Sequence, residues 1–233
     1  MPLSRRVPTR SPDQRGRLWH TESVFGTKTW RVALLAMALA ASACSQEPPE
    51  AAYRRKVDAE RARKDEFFRS GSSDSPVKAA DIPKFLPISY FDIDPDYAAP
   101  ATLKLVEPRT RLVMPTSTGK QRDMERVGVL EFTLRGQTMK LTAFAEVGEQ
   151  VSRLFVPFSD LTSGTETYPA GRYMDIDPQA SGVYVVDFNT AYHPYCYYNS
   201  EYDCPYPPSE NRLKTPIRAG ERLRAVEALT PGR

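Results

Sequence analysis

The residues of this chain that could do chemistry are concentrated between Phe158 and Arg212. Nine of its twelve tyrosines lie between Tyr168 and Tyr206, interleaved with Glu166, Arg172, Asp187 and Asn189. Charged groups in so aromatic a setting are buried only when paired. Two arrangements meet that condition. In one, Arg172 pairs with Glu166 or Asp187 and tyrosine hydroxyls complete a purely structural network. In the other, one face stays open, and Arg172 forks onto a carboxylate or phosphate of a ligand. Tyrosines then stack on or hydrogen-bond its organic body. The candidate binding residues are therefore Glu166, Tyr168, Arg172, Tyr173, Asp187, Asn189 and Tyr192. With Asp160, Asp175 and Asp177 nearby, the alternative chemistry is hydrolysis through Glu166 or Asp187 as acid or base, assisted by a divalent metal. No spacing fixes that geometry. Pro178 interrupts the calcium-loop-like start at Asp175-Ile176-Asp177, and Thr162-Ser163-Gly164 lacks the flanks of a nucleophile elbow. There is no phosphate-cradling Gly loop and no zinc-protease motif. No cofactor or metal is expected, and binding leads catalysis.

The segment also carries His193, Cys196 and Cys204, the last followed by Pro205-Tyr206-Pro207-Pro208. A disulfide between Cys196 and Cys204 would close a loop of about nine residues, worth about 2.5 kcal/mol in the chain-entropy model. A thiol nucleophile assisted by His193, or a metal held by His193 and both thiols, are the competing readings. The prolines suggest a rigid lid with room for a cis bond, and Glu210, Asn211 and Arg212 are placed to bond back to its carbonyls.

Whether those thiols meet an oxidant depends on the address. Val32 to Ala43 is an uncharged apolar run of 12 residues behind Lys28 and Arg31. That is too short to span a bilayer, which takes roughly 20 residues, and right for the core of an export signal. Ala41-Ser42-Ala43-Cys44 resembles the bacterial lipobox, with Ala41 where Leu is usual. The expectation is a lipoprotein: a signal peptide over 1–43, a lipid on Cys44 and a tether over 44–52. Its expected membrane contact is the lipid anchor. Ser45, in place of the retention residue Asp, favours the outer membrane. Ser4-Arg5-Arg6 is rejected as a twin-arginine signal because Pro8 and Arg10 follow, and translation is expected to start near Val24. Seven of the 32 Lys and Arg and two of the 29 Asp and Glu precede Cys44. The remainder, 25 basic against 27 acidic, leaves no electrostatic case for nucleic acid.

Several elements must position these side chains. Tyr53 to Arg69 is dense in charge, lacks Gly and Pro, and places Tyr53, Val57 and Phe68 near one helical face. Beyond Gly71 the prolines forbid long helices. From Leu103, short segments alternate in the strand manner. Leu130, Phe132 and Leu134 face one way, and Arg135-Gly136 turns into Met139 to Val147 as a hairpin. Further strands are expected at Arg153–Phe158, Gly171–Ile176, Val183–Phe188 and Leu213–Ile217. The reading is mainly β: one antiparallel sandwich or barrel-like domain over 53–229, with an N-terminal helix.

Across this span the runs Thr162-Ser-Gly-Thr-Glu-Thr-Tyr-Pro-Ala-Gly-Arg-Tyr173, Asp187-Phe-Asn-Thr-Ala-Tyr192 and Cys204-Pro-Tyr-Pro-Pro-Ser-Glu-Asn211 are long and specific. Through them the chain resembles the bacterial domain of unknown function 1684 family. The resemblance implies no activity. His193 stands where that family commonly has Asn, which argues against a mechanism that needs histidine there.

Overall fold

The computed structural model describes residues 47–148, 151–177 and 183–224. The expected signal, Val24 start and lipidated Cys44 lie outside the described residues. From Pro48 onward the chain is one compact unit.

Helix α1 runs from Pro49 to Arg69. It begins four residues before the expected Tyr53. Pro49 occupies the first turn, where its missing N–H costs nothing, and Glu50 pairs with Arg54 at 2.8 Å. Only Val57 and Phe68 of this helix are buried. A short helix α2, Ile82–Phe85, leads into the sheet.

Six strands follow: β1 Ala98–Pro115, β2 Gln121–Leu134, β3 Gln137–Glu146, β4 Leu154–Phe158, β5 Arg172–Ile176 and β6 Tyr184–Asp187. All neighbours are antiparallel, in the order β5-β4-β3-β2-β1-β6. The expected hairpin is present. Arg135 and Gly136 both have positive φ, 47° and 78°, as a two-residue turn matched to strand twist requires. β1 starts earlier than Leu103 because Ala98 to Ala101 pair with β6. Where β2 crosses β1, Gly128 is obligatory, since a Cβ there would lie 2.6 Å from the Lys104 carbonyl oxygen.

The sheet returns on itself just past β6. Tyr173 in β5 and Tyr192 exchange backbone hydrogen bonds of 2.9 and 3.0 Å, so the barrel is nearly closed. Its bore is filled by Leu130, Leu141, Val156, Phe158, Met174 and Phe188, all fully buried. A second layer covers the outer face of β2–β5. It comprises α1, helix α3 (Tyr195–Tyr198) and the loop after it to Tyr202, around Phe144, Met124 and Phe155.

The expected strand over Leu213–Ile217 does not form. Leu213 and Thr215 still meet the backbone of Ser159 and Leu161, but Pro216 has no N–H to donate and Ile217 bonds to side chains: its N–H donates to Asp160 and its carbonyl accepts from Arg172. Among the described residues, no helix is long and apolar enough to cross a membrane.

Candidate functional site

The seven sequence-predicted residues do not converge. Arg172 is fully buried. Its Nη2 donates to Asp160 at 2.9 Å and to the Ile217 carbonyl at 2.7 Å. Its Nη1 donates to the carbonyls of Ala219 and Glu221. The guanidinium is saturated by the fold apart from Nε and cannot fork onto a ligand. Both expected partners of Arg172 are corrected. Asp160 takes that place because it lies two residues beyond β4, whose Phe158 pairs with Arg172 of β5. Its other oxygen accepts from the Thr162 amide, the Thr162 hydroxyl and the Ile217 amide.

Glu166 lies at the surface in a two-pronged pair with Arg218. Asp187 and Asn189 hold α1. Tyr53 donates to Asp187 at 2.8 Å, and Asn189 donates to the Tyr53 oxygen and to the Asp94 carbonyl. Burial and the Asp187 charge push the Tyr53 hydroxyl up, keeping it a donor. Tyr168 packs against Tyr197 and gives its amide to His193 Nε2 at 3.3 Å. The expected bonds from Glu210 and Asn211 back to the lid's carbonyls are corrected: Asn211 donates to the Thr142 and Pro157 carbonyls of β3 and β4 and accepts from the Thr142 amide, and Glu210 pairs with Arg126. The cis bonds precede Pro87 and Pro108. Neither is in the Cys204–Pro208 lid.

Tyr173 and Tyr192 do reach a cavity. It measures about 880 Å³ and opens on the outer face of β2–β5, between the barrel and the α1–α3 layer. Its floor is apolar: Met124, Phe144 and Phe155. Tyr173 stands edge-on to Phe155 with 4.8 Å between centroids, and its hydroxyl donates to the Pro205 carbonyl. The Tyr192 hydroxyl donates to Asp175 at 2.8 Å. Four cations, Arg63, Lys64, Arg122 and Arg153, stand around the opening against Glu146, Asp175 and Asp203. Arg122 is engaged by Asp203 and Arg153 by Asp177. Arg63 is exposed, with no carboxylate partner among the described residues, and Phe67 on the same lip is 37% exposed. A volume of this size matches sites that enclose small organic molecules.

Sequence reasoning missed Arg63, Arg122, Arg153 and Tyr202 at this cavity. They come from α1, β2, the residue before β4 and the loop before the lid, and no local spacing relates them. The tyrosine density was the available signal, and Tyr173, Tyr192, Tyr195 and Tyr202 of that stretch line this cavity.

Beneath that wall is a buried carboxylate. Glu221, fully buried, receives Lys64 Nζ at 2.5 Å, the Tyr198 hydroxyl at 2.8 Å and the His193 amide at 2.7 Å. Lys64 also lies 4.7 Å from the Tyr192 ring centroid, a cation–π contact. His193 is completely buried, with Nδ1 unpartnered and 3.8 Å from Glu221. Burial first, then the Arg172 and Lys64 charges, hold its pKa well below the ordinary 6.5. Below that ordinary value the unfolded chain binds a proton that the folded protein refuses, so this stability is complete above about pH 6.5 and is lost as pH falls. Urea titrations of the wild type should therefore lose stability below pH 6.5 by up to about 1.4 kcal/mol per pH unit from this group. His193→Asn should flatten that component. An identical pH slope in the variant would rule the account out.

Cys196 and Cys204 are both buried and unbonded, and the Cys196 amide donates to Cys204 Sγ at 3.3 Å. Among the described residues no three His, Cys, Asp or Glu side chains are grouped to hold a metal ion.

A family model described as a protein of unknown function, DUF1684, matches residues 83–222. No curated protein matches the chain. A solved structure is similar: the solution structure of an uncharacterised protein from Haloarcula marismortui. It is 36% identical, with a TM-score of 0.60 over 75% of this chain and 96% of that one.

Proposed function

Because the chain belongs to the DUF1684 family, which lends it no activity, we propose from its own geometry that it is a binding module carried on an envelope lipoprotein. Its lipid anchor is Cys44. Its site is the cavity on the outer face of the barrel, and its ligand is a small organic molecule or envelope component with an apolar or aromatic body and an anionic head. The single observation that carries this reading is the placement of an 880 Å³ cavity with an apolar floor and an arginine-rich opening beside a barrel bore already filled with side chains. The body would lie on Met124, Phe144 and Phe155, and the head would meet Arg63. Neither Glu166 nor Asp187 lines this cavity, so nothing favours hydrolysis through them.

The naphthalene sulfonate dye 1-anilinonaphthalene-8-sulfonate has both parts. It should bind the natively folded protein saturably at one site, and Arg63→Glu should weaken it roughly tenfold by replacing attraction with repulsion at the opening. Non-saturable binding, or binding indifferent to Arg63→Glu, would sink this reading of the cavity. For the anchor, Cys44→Ala should release the protein from the membrane fraction.

A further inference from the structure

The cavity has two walls that belong to different layers, and the cysteine pair spans the junction between them. Cys204 is fixed to the barrel. Its amide donates to Ser117 Oγ at 3.1 Å, its carbonyl accepts the Ser117 amide at 2.9 Å, and Ser117 Oγ donates on to the Tyr202 carbonyl. Pro205 bridges to Thr116, and the Tyr206 amide donates to the Pro115 carbonyl. This end of the lid is thus clamped to the turn between β1 and β2. Cys196 is on α3, whose Tyr195 and Tyr198 stack edge-on against Phe68 of α1 at 6.0 and 5.0 Å. Arg63, Lys64, Phe67, Phe68 and Tyr195 form the helical wall. Arg122, Met124 and Phe155 form the barrel wall, with Cys204 and Pro205 beside them. The clamp at Ser117 and the packing of α3 hold each side without a covalent link, so the fold does not depend on a bond between the sulfurs.

We propose that Cys196 and Cys204 form a reversible thiol–disulfide couple that ties the two walls of the cavity together covalently when oxidised and leaves them to their non-covalent contacts when reduced. This rests on the cavity being the binding site. The oxidant is an external disulfide. A thiolate of the pair attacks one of its sulfurs, forming a mixed disulfide and expelling one thiolate. The second cysteine sulfur then attacks the mixed bond at the protein sulfur and expels the other. Two electrons pass to the external disulfide, which leaves as two thiols carrying the two cysteine protons. The pair is suited to the first step. The Cys204 S–H hydrogen-bonds to Cys196 and draws the Cys196 thiol down to about 7, against the effect of burial.

The test uses the protein from Ser45 onward, which contains the whole compact unit, equilibrated in oxidised and reduced glutathione. Mass spectrometry should find a 196–204 cystine, two hydrogens lighter, that reduced glutathione reopens. Amide exchange of Tyr195–Tyr206 should slow on oxidation. Affinity for the naphthalene sulfonate should change roughly three- to tenfold between the states, as expected when a few side chains at a site are fixed in advance. The Cys196→Ser/Cys204→Ser double variant should match the reduced form in both states. Failure of the cystine to form, or a cystine that leaves both exchange and dye affinity unchanged, overturns the proposal. If oxidation slows exchange while the dye binds in neither state, the tie between the walls stands and the ligand-binding reading is what fails.

Discussion

Arg172→Met should lower the stability of the fold by about 3–5 kcal/mol, the range for breaking a buried ion pair from one side. The substitution strands the Asp160 carboxylate in the interior beside three carbonyls, those of Ile217, Ala219 and Glu221, that lose their donor. Against a typical domain stability of about 5–15 kcal/mol, that is a large share. Circular dichroism in urea should show the midpoint falling with little change in slope. Asp160→Leu added to Arg172→Met should recover part of the loss, because the stranded charge goes with it. A midpoint within error of the wild type would return Arg172 to the list of ligand-binding residues.

Gly220→Ala should be comparably severe for a different reason. Gly220 has a φ of +76°, and a Cβ there would lie 2.4 Å from the Ala191 carbonyl oxygen and 2.6 Å from that of Phe188. Both obstacles are backbone in a hydrogen-bonded crossing, where the Glu221 amide donates to Ala191 and the Gly220 carbonyl accepts from Phe91. Neither can move aside without displacing Glu221, which organises Lys64, Tyr198 and the His193 backbone. Strain at positive φ plus overpacking amounts to about 3–6 kcal/mol. Gly119→Ala is the control: its φ is +80°, but nothing lies within 4 Å of the added Cβ. It should cost about 1 kcal/mol. Equal urea midpoints for the two variants would show that the crossing is not tight.

How much of this was legible in the sequence depended on how local the cause was. The turn at Arg135-Gly136 and the inward side chains Leu130, Phe132 and Leu134 could be read because period-two alternation and turn chemistry act over a few residues. Helix α1 could be read from its charge density and the absence of glycine and proline. The start at Pro49 was missed because a proline in the first turn reads equally well as tether. The partner of Arg172 was sought within fifteen residues on the C-terminal side and at Glu166, yet it is Asp160, brought in by the pairing of β4 with β5. The span from Leu213 to Ile217 has buried ends that suggest a strand, but at Ile217 the backbone bonds go to Asp160 and Arg172 rather than to a neighbouring strand. A sequence pattern reports burial and does not report which group satisfies the backbone. The aromatic stretch was correctly singled out as unusual. Its partition into four tyrosines at a cavity, Tyr173, Tyr192, Tyr195 and Tyr202, and others packed elsewhere needed the fold.

Helix α1 forms one wall of the cavity with only Val57 and Phe68 buried, and it is otherwise fastened by Tyr53, Arg54, Arg61, Lys64 and Asp65 to the carboxylates of Asp187 and Glu221 and the backbone of Ile88, Phe91 and Ile93. Withdrawing such a wall wets few hydrocarbon groups. Its detachment therefore carries a small heat-capacity increment, and its equilibrium varies little with temperature compared with melting of the bore. The two halves of the molecule should answer to different variables: the bore to heat, and the wall to the ions and head groups that compete for its fastenings.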